Sequence, residues 1–174
     1  MICYERCSVL KSISLLSMAA LLVLSAHVRA QDATYAVRSM TPETALAAAR
    51  AALAECRKQG YQVAVAVVDR AGLTQVLLRD RFAGAHTVDV ATNKAWTAAS
   101  FRTPTADLAR ETQPGQAMSG LRNLPRFLAA GGGQVIEGGG TLLGAIGVSG
   151  APGGEADDGC AKAGIKAIAD DIAF

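Results

Sequence analysis

The sequence contains few of the residues from which metal and redox sites are built. It has only two histidines, His27 and His86, and four cysteines among 174 residues. It contains no CxxC pair, no HExxH motif and no CxxCH motif for covalent haem attachment. Because a structural zinc ion takes four protein ligands, the histidine count excludes a histidine-rich zinc site.

Glycine is abundant, with 18 residues, but its spacing excludes the common nucleotide-binding motifs. Residues 144–150 place three glycines as GxxGxxG rather than GxGxxG, and no glycine in the chain is followed by Lys-Ser or Lys-Thr. Ser149 directly precedes a glycine, so it does not form the GxSxG motif of hydrolases. A trio such as Ser149, His86 and Asp89 arises by chance in a chain of this size and predicts no catalytic triad.

The first thirty residues have the pattern of an export signal. Arg6 and Lys11 make the start positive, residues 12–26 are apolar, and residues 28–30 fit a cleavage site with small residues. We therefore predict a signal peptide over residues 1–30 that is removed, and a periplasmic or secreted protein over residues 31–174. The alternative is an uncleaved membrane anchor, for which the apolar core is short, since a span needs about 20 residues.

The mature chain has no excess of charge. The predicted leader holds three of the 17 basic residues and one of the 15 acidic residues, so the remainder has 14 of each sign and no net charge. A nucleic-acid partner would require a basic face, which this balance does not favour. The length is sufficient for one domain with one core, and we predict a single domain over residues 31–174.

Two cysteines remain in the predicted mature chain, Cys56 near the end of the first helix and Cys160 near the start of the last. An exported compartment permits a disulfide between them if the two helices pack antiparallel. Two buried thiols that act as small hydrophobes are the alternative, and the sequence leaves both open.

Hydrophobic periodicity and turn residues predict an α+β domain. The order is helix, two strands, helices, two or three strands and a helix. We expect a profilin-like αβα sandwich, with a mostly antiparallel sheet of about five strands and helices on both faces. The expected helices cover residues 42–59, 87–101, 103–112 and 159–173, and the expected strands cover residues 63–68, 73–79, 127–130, 134–137 and 142–149.

The strand at residues 142–149 has one face of small residues, Ala145, Gly147 and Ser149. The helix at residues 87–101 also has a stripe of small side chains. We expect these two surfaces to meet and to leave room for a flat ligand between them. We also expect Asp157 or Asp158 to cap the last helix.

His86 is the only imidazole of the predicted mature chain, and we take it as a candidate metal ligand or acid–base group. Cationic and polar residues nearby in the chain are candidates for binding a ligand with carboxylates: Arg79, Asn93, Lys94, Thr97 and Arg102. The alternative is an ordinary solvated rim, with His86 at the surface near a helix start.

Several segments together resemble the GlcG/HbpS family, which also includes the C-terminal domain of PduO-type proteins. They are DRAG at residues 69–72, KAWTAASF at 94–101, GGGQVI at 131–136, GAIGVSG at 144–150 and DDGCAKAG at 157–164. The resemblance extends over about residues 40–174. One departure is Val135, where many members of the family have proline.

The resemblance implies a profilin-like domain that assembles into homo-oligomers and binds haem or a related tetrapyrrole in some members. It gives no iron ligand by motif, so His86 is chosen on chemistry alone. We therefore expect an exported, non-enzymatic haem-binding or haem-sensing protein, with no nucleic-acid partner and no membrane contact after cleavage. The alternative is a protein or enzyme that acts on a small hydroxy- or keto-acid, linked to glycolate or cobalamin metabolism.

Overall fold

The computed structural model describes residues 33–174, and the predicted signal peptide lies outside this range. Within it, Arg38–Phe174 forms one compact unit. Its elements are, in chain order, α1 Pro42–Lys58, β1 Ala64–Asp69, β2 Thr74–Arg79, α2 His86–Phe101, α3 Thr105–Glu111, a 3₁₀ helix Ser119–Asn123, β3 Gly133–Gly138, β4 Thr141–Ser149 and α4 Gly154–Ala167.

The strands form one antiparallel sheet in the order β2-β1-β4-β3, which confirms the α+β class. The expected strand count was too high, because residues 33–174 contain four strands in this sheet rather than about five. Residues 127–130 were expected to be a strand and are not one. The N–H of Leu128 donates instead to the Thr97 hydroxyl at 3.0 Å, so this segment is held by α2 and not by a neighbouring strand.

The two faces of the sheet carry side chains of different size, and each face is covered by helices. The large residues of β1 and β4 pack against α1 and α4 in the main core, to which they contribute Val65, Val67, Ile146 and Val148. The opposite face is small and packs against α2 in a second core, with Ala64, Ala66, Val68 and Ala145. The alternation expected along β4 is therefore confirmed.

Helix α1 begins as its sequence predicts. The Thr41 hydroxyl accepts a hydrogen bond from the N–H of Thr44 at 3.2 Å, and Pro42 occupies the first turn. The side of α1 that faces α4 is made of alanines, and an added Cβ at Gly164 of α4 would lie 2.7 Å from the Ala48 carbonyl oxygen. Small residues on both helices thus allow their backbones to approach closely.

This close packing brings the two cysteines together. Cys56 and Cys160 form a disulfide with a Cα–Cα distance of 5.5 Å across a sequence separation of 104 residues. Both residues have no exposed surface. The structure therefore decides between the two alternatives that the sequence left open, in favour of the disulfide.

Helix α4 begins earlier than the sequence predicts. Its first residue is Gly154 and its cap is Gly153, which makes no side-chain capping hydrogen bond. Asp157 and Asp158 are therefore not caps but buried residues inside the helix. Within residues 33–174, no helix has both the length and the apolar composition that crossing a membrane requires.

Candidate functional site

A buried polar cluster joins α2, β4 and α4 around Lys94. The Lys94 ammonium donates to Asp157 Oδ2 at 2.7 Å and to the Val148 carbonyl oxygen at 3.0 Å. Both side chains of the ion pair are almost completely buried, with relative exposures of 4% and 5%. The other Asp157 oxygen accepts from the Ala151 N–H at 3.0 Å. Lys94 therefore holds the end of β4 against the start of α4.

The neighbouring Asp158 fixes the glycine loop that precedes β3. Its Oδ1 accepts from the Gly132 N–H at 2.6 Å and from Gln134 Nε2 at 2.7 Å. On the other side of the loop, the Thr105 hydroxyl accepts from the Gly133 N–H at 2.8 Å and donates to the Ala130 carbonyl oxygen at 2.5 Å. The loop is thus held from α3 and α4 together.

Gly132 is required where the loop crosses the ion pair. Its φ is +113°, and an added Cβ would lie 2.8 Å from Lys94 Nζ and 2.7 Å from Asp157 Cβ. Burial raises the pKa of Asp157 above its usual range, while the hydrogen bond and charge of Lys94 oppose that shift. The arrangement is suited to holding three chain segments in register, because its charged groups already bind one another.

The expected space between β4 and α2 is absent, and that prediction was wrong. An added Cβ at Gly147 would overlap the Ala91 carbonyl oxygen and lie 2.7 Å from the Ala95 nitrogen. The small side chains allow the helix backbone itself to lie on the strand. The main chain of α2 occupies the volume in which a flat ligand was expected.

The structure places the sequence-predicted site residues in separate environments. Lys94 is in the buried cluster, and Asn93 beside it is half-buried. The Thr97 hydroxyl accepts from Leu128 N–H. Arg102 is exposed and ends α2 in the left-handed conformation, with φ of 51°. A rise of about 1.5 Å per residue puts Arg102 about 24 Å along the helix axis from His86.

Arg79 and His86 lie at the two ends of the connection between β2 and α2. Both are exposed. We call residues 80–85 the β2–α2 loop. The His86 ring lies over Gly84, where an added Cβ would be 2.7 Å from the imidazole Cε1. This loop also exposes Phe82, whose relative exposure is 80%.

The β2–α2 loop is anchored by Asp80, which has a relative exposure of only 1%. Its carboxylate accepts from Arg57 Nε at 2.7 Å, from the terminal nitrogen of Arg57 at 2.8 Å and from the Arg81 N–H at 2.8 Å. This two-pronged contact with Arg57 lowers the pKa of Asp80 to about 2. Asp80 therefore stays ionised in the folded protein at pH values where a carboxyl group in the unfolded chain is protonated.

The Asp80 anchor predicts an acid-dependent stability. The contribution of Asp80 to the free energy of unfolding is complete above its ordinary pKa of 3.8. It is lost as the pH falls from there through a pKa of about 2, because the unfolded chain takes up the proton first.

Asp80→Asn should remove this part of the pH dependence of stability. Urea denaturation between pH 2 and 6 measures it. The matched control is Asp170→Asn, which replaces an exposed acid and should keep the wild-type change of unfolding free energy with pH. If Asp80→Asn also keeps that change, the acid dependence does not come from Asp80.

Protein ligands alone do not form a metal site in the described part of the chain. Among residues 33–174, no three His, Cys, Asp or Glu side chains are grouped so that they could hold a metal ion. A metal that arrives with its own macrocycle needs only one or two protein ligands. The exposed imidazole of His86 is a suitable ligand of that kind.

The sequence did not predict the residues that organise the buried polar cluster around Lys94 and the β2–α2 loop. Asp157 and Asp158 were taken for helix caps, and their contacts with Lys94 and Gly132 join segments far apart in the chain. The signal for them is the pair of adjacent acids that follows a glycine loop. Asp80 and Phe82 gave no recognisable pattern.

Comparison with known proteins gives a consistent assignment. A family model described as "Haem degrading protein HbpS-like" matches residues 40–166. The crystal structure of a double mutant of Streptomyces reticuli HbpS is 39% identical, with a TM-score of 0.73 over 81% of this chain and 95% of that chain. The crystal structure of a PduOC–haem complex is 31% identical, with a TM-score of 0.71 over 75% of this chain and 95% of that chain.

A third relative is the corrinoid adenosyltransferase PduO of Citrobacter freundii. It is 34% identical over 103 residues, which make up 58% of this chain and 31% of that enzyme. The similarity thus covers less than one third of the adenosyltransferase.

Proposed function

Because the chain belongs to the HbpS-like family, we propose that it is an exported protein that binds or senses haem without transforming it. The observation that carries the proposal is the similarity over almost the whole compact unit, including the 31% identity to a domain crystallised with haem. The same similarity supports a profilin-like scaffold and assembly into a homo-oligomer. The exposed apolar residues Leu73 and Leu77 beside and on the edge strand β2 also support assembly.

The disulfide supports export. A disulfide such as Cys56–Cys160 is typical of proteins in oxidising compartments and rare in the cytosol. It agrees with the signal peptide predicted over residues 1–30. A periplasmic or secreted location is therefore part of the proposal.

The residues around the β2–α2 loop fit a haem group. His86 offers an imidazole at the protein surface, and Arg79 and Arg81 are exposed on the same connection. Haem supplies an iron that accepts an axial imidazole and two propionates that accept hydrogen bonds from guanidinium groups. We therefore propose His86 as the iron ligand, with Arg79 near the propionates. Lys94 and Thr97 contribute indirectly, through the packing of α2.

The experiment is a hemin titration of the full chain followed in the Soret band. Wild-type protein should give a saturable band shift. His86→Ala should change the position of the Soret band of the bound form. It should also raise the dissociation constant for hemin at least about tenfold, because the loss of a residue that only hydrogen-bonds to a metal ligand already has an effect of that size. The matched control is Lys162→Ala, an exposed residue on α4, which should titrate like the wild type.

The possible outcomes separate the parts of the proposal. Absence of any saturable shift in the wild type would refute haem binding. A normal titration of His86→Ala would refute His86 as the ligand and leave haem binding intact. A bound band that decays with time after saturation would indicate haem degradation and contradict the non-enzymatic part of the proposal.

A second candidate is a role with a small hydroxy- or keto-acid in glycolate or cobalamin metabolism. The observation that favours it is the similarity to part of the corrinoid adenosyltransferase PduO. The sequence suggests Lys94 for binding the carboxylate of such an acid, but its ammonium already pairs with Asp157. A thermal-shift screen of organic acids tests this candidate, because a ligand that binds only the folded state raises the midpoint.

A further inference from the structure

We propose that Phe82 is a contact residue for the macrocycle of a dianionic tetrapyrrole and that it acts together with Arg79, Arg81 and His86. We call these four residues the Phe82 platform. The inference rests on the proposed haem binding and extends it to a specific surface. The β2–α2 loop is held by buried contacts, and it exposes the Phe82 ring to solvent.

The first half of the loop is fixed by buried anchors. The Asp80 N–H donates to the Val63 carbonyl oxygen at 2.9 Å, and the Asp80 carboxylate binds Arg57. The Ala83 N–H then closes a turn onto the Asp80 carbonyl oxygen at 3.1 Å. Asp80 and Ala83 are buried, whereas Arg81 and Phe82 between them are exposed. The loop therefore turns these two side chains outward, while Asp80 and Ala83 on either side of them point into the protein.

The second half of the loop is fixed by a turn that starts α2. The Thr87 hydroxyl and the Thr87 N–H both donate to the Gly84 carbonyl oxygen, at 2.6 Å and 3.0 Å. Gly84 has no side chain, and the His86 ring occupies the space where a Cβ would stand. The absence of a side chain at position 84 thus allows the His86 ring to lie close to the loop.

The Phe82 ring is 80% exposed on an anchored loop, so a large apolar surface is available for contact with a ligand. The buried Ala83 beside it shows that the loop has an inward position that a side chain can occupy. A planar apolar ligand that covers Phe82 removes the ring from water, and flat aromatic surfaces stack favourably. The loop is already ordered, so little conformational entropy is lost on binding.

The charges around Phe82 favour an acidic ligand. Arg79 and Arg81 are exposed on either side of Asp80, and the Asp80 carboxylate is already paired with Arg57. The exposed acid closest in sequence is Asp89, three residues into α2 after His86. A molecule with an apolar plane, two carboxylates and a metal that accepts imidazole satisfies all four residues of the Phe82 platform.

The test compares hemin affinity in full-length variants by Soret titration. Phe82→Ala should raise the dissociation constant about tenfold, which corresponds to about 1.4 kcal/mol. Phe82→Tyr, which keeps the ring, should stay within about threefold of the wild type. The matched control is Leu124→Ala, another exposed apolar residue, directly after the 3₁₀ helix with a relative exposure of 46%. It should bind hemin like the wild type, and urea midpoints should show that all variants are equally folded.

The results that overturn the inference differ from those that overturn haem binding. A wild type that shows no saturable hemin binding refutes the proposed function, and with it the Phe82 platform. A wild type that binds, together with Phe82→Ala of equal affinity, refutes the Phe82 platform alone. Sedimentation velocity without hemin tests whether a second copy of the chain covers Phe82 instead. If Phe82→Ala changes the oligomeric state and not the hemin affinity, a second copy covers this residue and the inference is wrong.

Discussion

Replacing Lys94 with methionine should lower the free energy of unfolding by about 3–5 kcal/mol at neutral pH. The substitution keeps an unbranched side chain of similar length and removes its charge. Asp157 would then be a buried carboxylate whose remaining hydrogen bond comes from the Ala151 N–H, and the Val148 carbonyl oxygen would lose its donor. Since a typical domain is stable by about 5–15 kcal/mol, this loss is a large fraction of the total.

The loss in Lys94→Met should depend on pH in a direction set by Asp157. Burial already raises the pKa of Asp157, and without Lys94 the pKa should rise further. A raised pKa means that the folded state holds the proton more tightly than the unfolded chain does. The variant should therefore become more stable as the pH falls from neutral toward the ordinary carboxyl range.

Urea denaturation of the full chain at pH 7 and pH 5 measures both effects. The matched control is Lys162→Met, an exposed lysine on α4, which should change the stability by no more than about 0.5 kcal/mol. The double variant Lys94→Met/Asp157→Asn should be less destabilised than the sum of its single changes, because it removes the buried charge. If Lys94→Met and Lys162→Met unfold at the same urea concentration, the buried ion pair does not contribute as described.

Removing the disulfide should have an effect of similar size. The bond closes a loop with a sequence separation of 104 residues, for which the loss of chain entropy in the unfolded state predicts about 4.7 kcal/mol of stabilisation. Measured losses for native disulfides are about 2–5 kcal/mol. We expect Cys56→Ala/Cys160→Ala to fall within this range, with a lower thermal midpoint.

Thermal unfolding with and without a reductant tests the disulfide. Adding the reductant during unfolding should lower the midpoint of the wild type toward that of Cys56→Ala/Cys160→Ala and should not change the variant. A Cys56→Ala/Cys160→Ala variant that melts with the wild type would show that the disulfide adds no stability.

The parts of the fold that depend on local patterns could be predicted from the sequence. The unbroken apolar run at residues 63–68 predicted a central strand, because a short segment rich in valine is covered on both faces, and β1 spans Ala64–Asp69. The alternating large and small residues of β4 correctly assigned its two faces. Thr41 and Pro42 correctly marked the beginning of α1.

The polar cluster could not be predicted in the same way, because its contacts join segments that the sequence does not relate. Lys94 lies 63 positions from Asp157, and no periodicity connects them. The same limit applies to the space beside Gly147. A strand face of small residues and an alanine-rich helix are compatible with a cavity and with direct backbone contact, and only the actual position of the helix decides between them.

The position of α4 in the chain has a consequence for synthesis. This helix supplies Asp157, Asp158 and Cys160, which complete the ion pair, the glycine loop and the disulfide. A nascent chain whose α4 is still inside the ribosome has a lysine without its carboxylate and a thiol without its partner. The preceding elements therefore lack the ion pair and the loop contacts until α4 is available, and the disulfide then forms in the oxidising compartment.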